Sequence, residues 1–447
     1  MSEAALTRHL RLRSATALVI ANMIGAGIFT TTGFQAADLR HPLLIFALWA
    51  VGGLLAVLGA LCYGELGAMM PEAGGEYVYL RETYGPAFGF MSAFVSLTAG
   101  FSAAIASAVE SFVVYLGQFV PFLSENRMLV GGIGVVDVAA VAVVWALVWI
   151  HMRPVRAGTG FNDAITALKV VGIVAIVLAA LTIGRGDASN LVTPSPSFAE
   201  LDRGETFAAL GTSLIFVMFC FAGWNAAAYV AGEMEDPQRE LPRALLLGTG
   251  IVLTLYLSLN AVYFYGASVD ELAGEVEVGV VAARTLFGGW GVGFVTAVLC
   301  ASILASASAM TLAGPRVYWA LGKDFTPFAA LSRTRPGGAP ATALLVQGAV
   351  TSVFVLSGRV DQIQQYAGFT LSLFASLAVS CVIALRWRRP EAPRPFRAWG
   401  YPWTPVLFLA VSLWMMFWAF QGRPLESSLA LATVLVGGLL FALQKRR

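Results

Sequence analysis

The chain has 447 residues, of which 58% are hydrophobic and only 12% are charged, and its formal net charge is +2. A soluble chain of this length could not bury so much apolar surface, and without clustered basic residues nucleic acid is not expected as a partner. The apolar residues come in blocks of about 20, the length that crosses roughly 30 Å of hydrocarbon, so the composition predicts an integral membrane protein.

The apolar blocks predict an all-α integral membrane protein with about twelve transmembrane helices. The third and eighth spans exceed the minimal crossing length, which suggests tilt or extension beyond the bilayer. The predicted spans, in chain order, cover residues 15–35, 42–65, 86–119, 128–151, 160–183, 207–232, 242–266, 290–321, 340–357, 363–386, 403–420 and 427–444.

The basic residues are distributed unevenly between the loops. With the N-terminus placed in the cytoplasm, the loops on that side carry twenty Lys and Arg, whereas the loops on the other side carry seven. Because basic residues are enriched in cytoplasmic loops, both termini are predicted to be cytoplasmic. The first apolar block is followed by no small-residue cleavage site, so we expect a retained helix in a multi-pass protein of the cell's inner (plasma) membrane.

The first span contains two glycines that flank one alanine, Gly25-Ala26-Gly27. The two glycines remove side-chain bulk and weaken helix propensity. An unwound turn exposes amide and carbonyl groups, which a bilayer tolerates only where the turn lines a cavity walled by protein. A half-helix N-terminus at that place would attract an anion such as a carboxylate. The alternative is close helix packing through small residues.

Lys169 and Glu110 are ionisable residues that lie inside predicted spans, away from the span ends. Lys169 is about nine residues into the fifth span, or roughly 13 Å deep, where an ionisable group is costly and predicts a function. The alternative is that its long stem reaches toward an interface. Glu110 lies in the outer part of the third span. It could border an extracellular vestibule or pair with a surface arginine.

The sixth span carries a second small-residue pair, Ala222-Gly223, with aromatic residues on both sides. The first and sixth spans are the corresponding positions of a five-plus-five inverted repeat. Paired interruptions at such positions predict a transporter site near the middle of the membrane.

Four motifs in order resemble those of amino acid permeases of the amino acid–polyamine–organocation family, and the chain is similar to the bacterial and L-type branches. The resemblance covers nearly the whole chain. The motifs are residues 25–29 in the first span, residues 71–80 with 84–85 in the first cytoplasmic loop, residues 221–225 followed by 233, 236–237 and 239–244, and residues 394–396 through 401–402.

The resemblance implies the leucine-transporter fold, a five-plus-five inverted repeat with two C-terminal helices. The implied organisation is a cytoplasmic segment at 1–14, a transport core at 15–386 with repeats near 15–183 and 207–386, a cytoplasmic loop at 387–401, and two peripheral helices with the C-terminus at 402–447. The substrate carboxylate would meet the backbone amides of Gly25, Ala26 and Gly27. The substrate ammonium would meet carbonyls of Ile24 and of the segment Phe219, Cys220, Phe221 and Ala222, and Phe219 matches a family aromatic that closes over the substrate.

For Lys169 the resemblance implies the place that a sodium ion occupies in relatives, where the ammonium can bridge the first and eighth helices. Ser306, Ser308 and Glu110 are candidate partners. Burial disfavours the charged ammonium, so that a proton can leave it. This predicts proton-coupled uptake of a neutral amino acid. Exchange without proton coupling stays open, because exchangers similar to this family also carry the lysine.

Other functional classes have less support. The three histidines and four cysteines form no catalytic or metal-ligand pattern, so we expect neither an enzyme nor a metal nor a cofactor. A channel is a remote alternative, since neither a filter-like repeat nor a ring of charges is visible. The expected partners are an amino acid, protons and the lipid bilayer, with no obligate protein partner.

Overall fold

The computed structural model describes residues 10–72, 74–124, 128–130, 132–152, 159–333 and 340–444. Most of these residues are helical, as the apolar blocks predict. Of the predicted cytoplasmic segment 1–14, the first nine residues lie outside the described part.

The helices and strands follow one another with short connections. The first half contains α1 (Leu12–Met23), α2 (Gly27–Leu39), α3 (Pro42–Met69), α4 (Glu76–Tyr84), α5 (Pro86–Val95), a π-helical turn (Ser96–Ala103), α6 (Ala104–Leu116), α7 (Pro121–Ser124), β1 (Met128–Val130), β2 (Ile133–Gly134), α8 (Val135–His151) and α9 (Thr159–Ile183). The second half contains 3-10 turns (Ala188–Leu191, Pro196–Glu200), α10 (Arg203–Phe221), α11 (Ala226–Tyr229), a 3-10 turn (Ala231–Glu233), α12 (Pro237–Gly266), α13 (Val269–Leu272), α14 (Val278–Asp324), a 3-10 turn (Thr326–Ser332), α15 (Ala341–Ser357), α16 (Val360–Arg388), α17 (Trp403–Gly422) and α18 (Pro424–Gln444).

Within the described residues, ten helical spans are long and apolar enough to cross a membrane, with α1 and α2 counted together as one span. Two further apolar helices, α8 and α15, have 17 residues each and lie where the fourth and ninth spans are predicted. A helix of that length is roughly 25 Å long, a little less than the hydrocarbon thickness.

Three spans differ from their predicted outlines. Between α5 and α6 the third span widens into the π-helical turn. The predicted fourth span begins with the antiparallel hairpin of β1 and β2, in which Gly132 has a φ of 89°, so only its second part is helical. The helix α14 begins well before residue 290, and it is broken at Gly288, whose φ of 68° does not fit a helix.

The packing brings the first and sixth spans together. The helix α12 lies along α3 and α1, while α10 packs against α2 and α3. Around this group, α6 contacts α8, α14 and α16, and α9 contacts α1 and α14. The breaks between α1 and α2 and between α10 and α11 therefore lie inside the molecule, away from its lipid-facing surface.

Candidate functional site

The first span is interrupted where the glycines predict. Its first helix ends at Met23, and the second begins at Gly27. Ile24 leaves the helical conformation with φ −74° and ψ 87°. The Gly25 N–H donates to Met23 O at 2.9 Å. The first N–H groups of a helix have no partner within it, so the start of α2 presents donors and the positive end of its dipole at the break.

The sixth span is interrupted close to the first break. Its helix α10 ends at Phe221, and Ala222 turns the chain into an extended conformation with ψ 135°. Gly223 has a φ of 105°, a region that favours glycine. A Cβ at Gly223 would lie 2.9 Å from the carbonyl carbon and oxygen of Asn22, so this glycine also permits close approach to the end of α1.

Close contacts join the two breaks. A Cβ at Gly27 would lie 2.6 Å from Cys220 Sγ, so a side chain there is excluded by the sixth span. The Tyr256 hydroxyl lies 2.6 Å from Met23 O and 3.1 Å from Cys220 O, which ties the chain at both breaks to α12. No motif in the sequence indicates this role for the tyrosine, because a tyrosine in an apolar span is usually part of the packing. Gly27 thus combines an interruption with close helix packing, the alternative left open above.

A cavity of about 780 Å³ lies between the breaks. Most of the predicted site residues line it, including Gly25, Ala26, Gly27, Phe219, Cys220 and Ala222. Ile24 and Phe221 are fully buried and are not part of its lining. The Phe221 ring packs instead against Trp49 and Tyr256.

The cavity opens toward the ends of the spans that are predicted to be cytoplasmic. Charged residues line that mouth, and they are Glu72, Arg81, Glu233, Arg316 and Asp324. Two residues of the mouth are tied together, because the Tyr77 hydroxyl donates to the Asp324 carboxylate. On the side of the breaks that faces away from the mouth, α2, α6 and α16 carry buried polar side chains.

A buried carboxyl stands between the break of the sixth span and the mouth. Glu76, at the start of α4, accepts hydrogen bonds from the Tyr63 hydroxyl and from Asn225 Nδ2 at 2.8 Å. Burial raises the pKa of Glu76 above its ordinary value, although the two hydrogen bonds act in the other direction. Both of these hydrogen-bond partners of Glu76 are neutral donors.

Lys169 lies beside the first break. Its side chain is 3% exposed, and Nζ lies 3.4 Å from Ile24 O and 3.5 Å from Ala21 O. The ammonium thus meets carbonyls at the end of α1, which have no partner within that helix. It does not snorkel to an interface.

The other candidate polar residues occupy different surroundings. Ser306 lines the cavity near Gly25, and its Oγ has no hydrogen-bond partner among the described residues. Ser308, two residues further, contacts His151 Nε2 at 2.9 Å and so faces α8. Glu110 is 4% exposed, and within the described part its Oε1 has no hydrogen-bond partner. The predicted pairing of Glu110 with a surface arginine is not among the described ion pairs.

Comparison with known proteins gives matches over nearly the full length. Residues 10–440 match the family model described as amino acid permease. Human b(0,+)-type amino acid transporter 1 is 27% identical over 445 residues, which cover 98% of this chain and 87% of that protein. The rabbit large neutral amino acids transporter small subunit 2 is 26% identical, with 97% of this chain and 79% of that protein covered. The mouse Asc-type amino acid transporter 1 is 26% identical, with coverages of 98% and 81%.

Proposed function

The chain belongs to the amino acid permease family, whose members are transporters and not enzymes, and we propose that it carries a neutral amino acid by alternating access. The observation that supports this most is the cavity of about 780 Å³, which both interrupted spans line and whose charged mouth lies at the ends predicted to be cytoplasmic. A carrier needs such a site, reached from one side at a time. A channel would need a path open at both ends.

The two breaks supply complementary groups for a zwitterion. The start of α2 at Gly27 offers N–H donors and a helix dipole to a carboxylate. The carbonyls that end α10, around Phe219 and Cys220, would accept hydrogen bonds from an ammonium. Backbone groups can hold both charges without a fixed ion in the bilayer, which favours a substrate with no net charge. We assign Phe219, which is 9% exposed and lies on the cavity wall, as the side chain that covers the bound molecule.

Lys169 is the proposed coupling residue. As an ammonium it donates to the carbonyls of Ala21 and Ile24 and holds α1 against α9. Loss of its proton removes the charge that these carbonyls attract and releases the end of α1. Proton-coupled uptake follows if the proton leaves during each cycle. If Lys169 keeps its proton, the same contacts would be a fixed support, and the protein would be an exchanger.

The finer topology is also part of the proposal. We propose twelve spans in the leucine-transporter arrangement, with α8 and α15 as the fourth and ninth, and with both termini on the cytoplasmic side of the plasma membrane. The grouping of α1, α3, α10 and α12 supports the rocking of the first, second, sixth and seventh spans against the others. The likeness to the bacterial branch stays a prediction, because the relatives named above are mammalian.

We further propose that the chain transports without a second subunit. The name of the rabbit relative calls that protein a small subunit, which makes reconstitution of the chain alone informative. Purified chain in liposomes should take up a neutral amino acid such as leucine in a saturable and stereoselective way. Lysine and glutamate serve as charged competitors. If no amino acid is taken up, the chain alone is insufficient or the assigned function is wrong, and addition of a partner would separate these two.

The coupling is tested in the same liposomes. An inward proton gradient should accelerate uptake by the parent chain and should have no effect on Lys169→Met. Lys323→Met is the matched control, since Lys323 lies over the Trp319 ring near the mouth, outside the site. If uptake requires an internal amino acid and ignores the gradient, the protein is an exchanger. If Lys169→Met responds to the gradient like the parent, Lys169 is not the coupling residue.

A further inference from the structure

Five buried side chains form a continuous set of hydrogen bonds beyond the two breaks, on the side away from the cavity mouth. We call them the outer seam, and they are Thr30 and Thr31 of α2, Ser107 of α6, Cys220 of α10 and Gln364 of α16. Each is at most 2% exposed. The outer seam therefore joins the first, third, sixth and tenth predicted spans through polar contacts that are buried from the solvent.

The amide of Gln364 is the centre of the outer seam. Its Nε2 donates to Thr30 Oγ1 at 2.9 Å and to Ser107 Oγ at 3.0 Å, and its Oε1 accepts from Thr31 Oγ1 at 3.0 Å. Since the Thr31 hydroxyl donates to Gln364, it accepts from the Cys220 thiol at 3.2 Å. Both amide protons and the amide oxygen are used, which is the arrangement that a buried amide needs.

Burial alone does not explain these bonds. The next residue, Gln365, is equally buried, yet neither its Oε1 nor its Nε2 has a hydrogen-bond partner among the described residues. The hydrogen bonds of Gln364 therefore depend on the positions of α2 and α6 relative to α16. The Thr30 hydroxyl, in turn, lies 3.3 Å from Ala26 O, so the outer seam reaches the break of the first span.

An apolar cluster covers the outer seam one helical turn further out. Phe34, Phe216 and Val360 pack together, and the two rings lie 5.6 Å apart. Each is four residues from a member of the outer seam on its own helix, because Phe34 follows Thr30, Phe216 precedes Cys220 and Val360 precedes Gln364. The same three helices thus form a polar layer and an apolar layer above the cavity.

We propose that Gln364 is the positioning residue of the outer gate: its amide holds α2 against α6 and α16, and its bonds to Thr30 and Thr31 must break before the pathway opens away from the mouth. This inference rests on the alternating-access function proposed above. In that function α2 moves with α10, whereas α6 and α16 stay. Gln364 and Ser107 are then on the fixed side, and Thr30, Thr31 and Cys220 are on the moving side.

The test measures access to the apolar cluster from the outer face. Val360→Cys places a small thiol in the cluster, and a membrane-impermeant methanethiosulfonate reagent is added to right-side-out vesicles. The chain without Val360→Cys gives the contribution of the four native cysteines. Gln364→Met removes all three amide bonds at similar volume. We expect it to accelerate modification of the new thiol at least about fivefold, the value for one net buried hydrogen bond.

Gln365→Met is the matched control, since it alters a neighbouring buried amide without removing a bond of the outer seam. The inference is supported if Gln364→Met accelerates modification and Gln365→Met does not. It is overturned if monodisperse Gln364→Met reacts like the parent, or if both variants accelerate equally. Thr31→Val, which keeps the branched shape and loses the hydroxyl, should change access in the same direction if Gln364→Met does not fold. Access is measured without substrate, so failure here leaves the amino acid assignment untouched.

Discussion

The contact between Gly27 and Cys220 allows a quantitative prediction for Gly27→Ala. The added Cβ would lie 2.6 Å from Cys220 Sγ, and 3.4 Å from the Cα and Cβ of the same residue. Optimal separations between such atoms are about 3.5–4.0 Å, so the overlap is roughly 1 Å and involves the sulfur. Overpacking of this kind costs about 1–3 kcal/mol. We expect Gly27→Ala to lower the thermal midpoint by a few degrees.

Cys220→Ala removes the sulfur and leaves the nearest atoms at an ordinary contact distance. The double variant should therefore be more stable than Gly27→Ala alone, with a coupling free energy of about 1–3 kcal/mol in the cycle. Gly25→Ala is the control, because its Cβ would meet Ser306 Oγ at 3.3 Å, and a hydroxyl can turn away. The measurement is the thermal unfolding of purified chains in one detergent.

Measuring transport by the same variants distinguishes a packing role of Gly27 from a role in substrate binding. If Gly27 serves packing only, the double variant should regain uptake together with stability. If its amide also holds the substrate carboxylate, stability should return while the KM for the amino acid stays raised. The reasoning about the contact is refuted if Gly27→Ala is as stable as the parent, or if Cys220→Ala gives no rescue.

Three further predictions follow from contacts elsewhere. Glu65→Gln should cost about 3 kcal/mol in chemical denaturation, because the buried carboxylate pairs with Arg386 at 2.6 Å and with the buried Arg394 at 3.5 Å, and its loss leaves the buried Arg394 charge without this partner; Arg386→Gln should cost less, because Arg394 still faces the carboxylate. Gly223→Ala should lower thermal stability by about 1–3 kcal/mol, since alanine disfavours a φ of 105°; an unchanged midpoint would contradict this. Burial raises the pKa of Glu277 to about 7, so its contribution to stability should fall as pH rises from about 4.5 to 7 and level off above. Thermal scans of Glu277→Gln beside the parent should show a smaller change over that range.

The sequence was informative where a feature is local. An apolar block that is long enough to cross the bilayer predicts a transmembrane helix. Gly25 and Gly27 predict a break, because glycine weakens a helix at any position in its interior. The hairpin at 128–134 was missed, since its apolar residues continue the hydrophobic block. The helical boundary there depends on Gly132 and on how the chain enters α8.

Contacts between spans were predicted less well. Ser306 and Ser308 are two residues apart and so point about 200° apart on α14, yet nothing in the sequence indicates which of them faces the cavity. The sequence likewise does not show which of the neighbouring residues Gln364 and Gln365 faces the outer seam. In the structure Gln364 joins it, whereas the Gln365 amide has no hydrogen-bond partner among the described residues. Rotation of each helix about its axis is determined by packing of the whole set, which one sequence does not reveal.

The π-helical turn at Ser96–Ala103 has a consequence for the angular phase of the third span. A wide turn holds an extra residue relative to an α-helix, and each residue corresponds to about 100° of rotation. Winding the same residues as a regular α-helix would turn everything beyond the wide turn by about that angle. Ser107 would then point away from Gln364, while the half that begins at Pro86 would keep its direction. The extra residue held in the wide turn thus determines which face of α6 packs toward the inside of the protein.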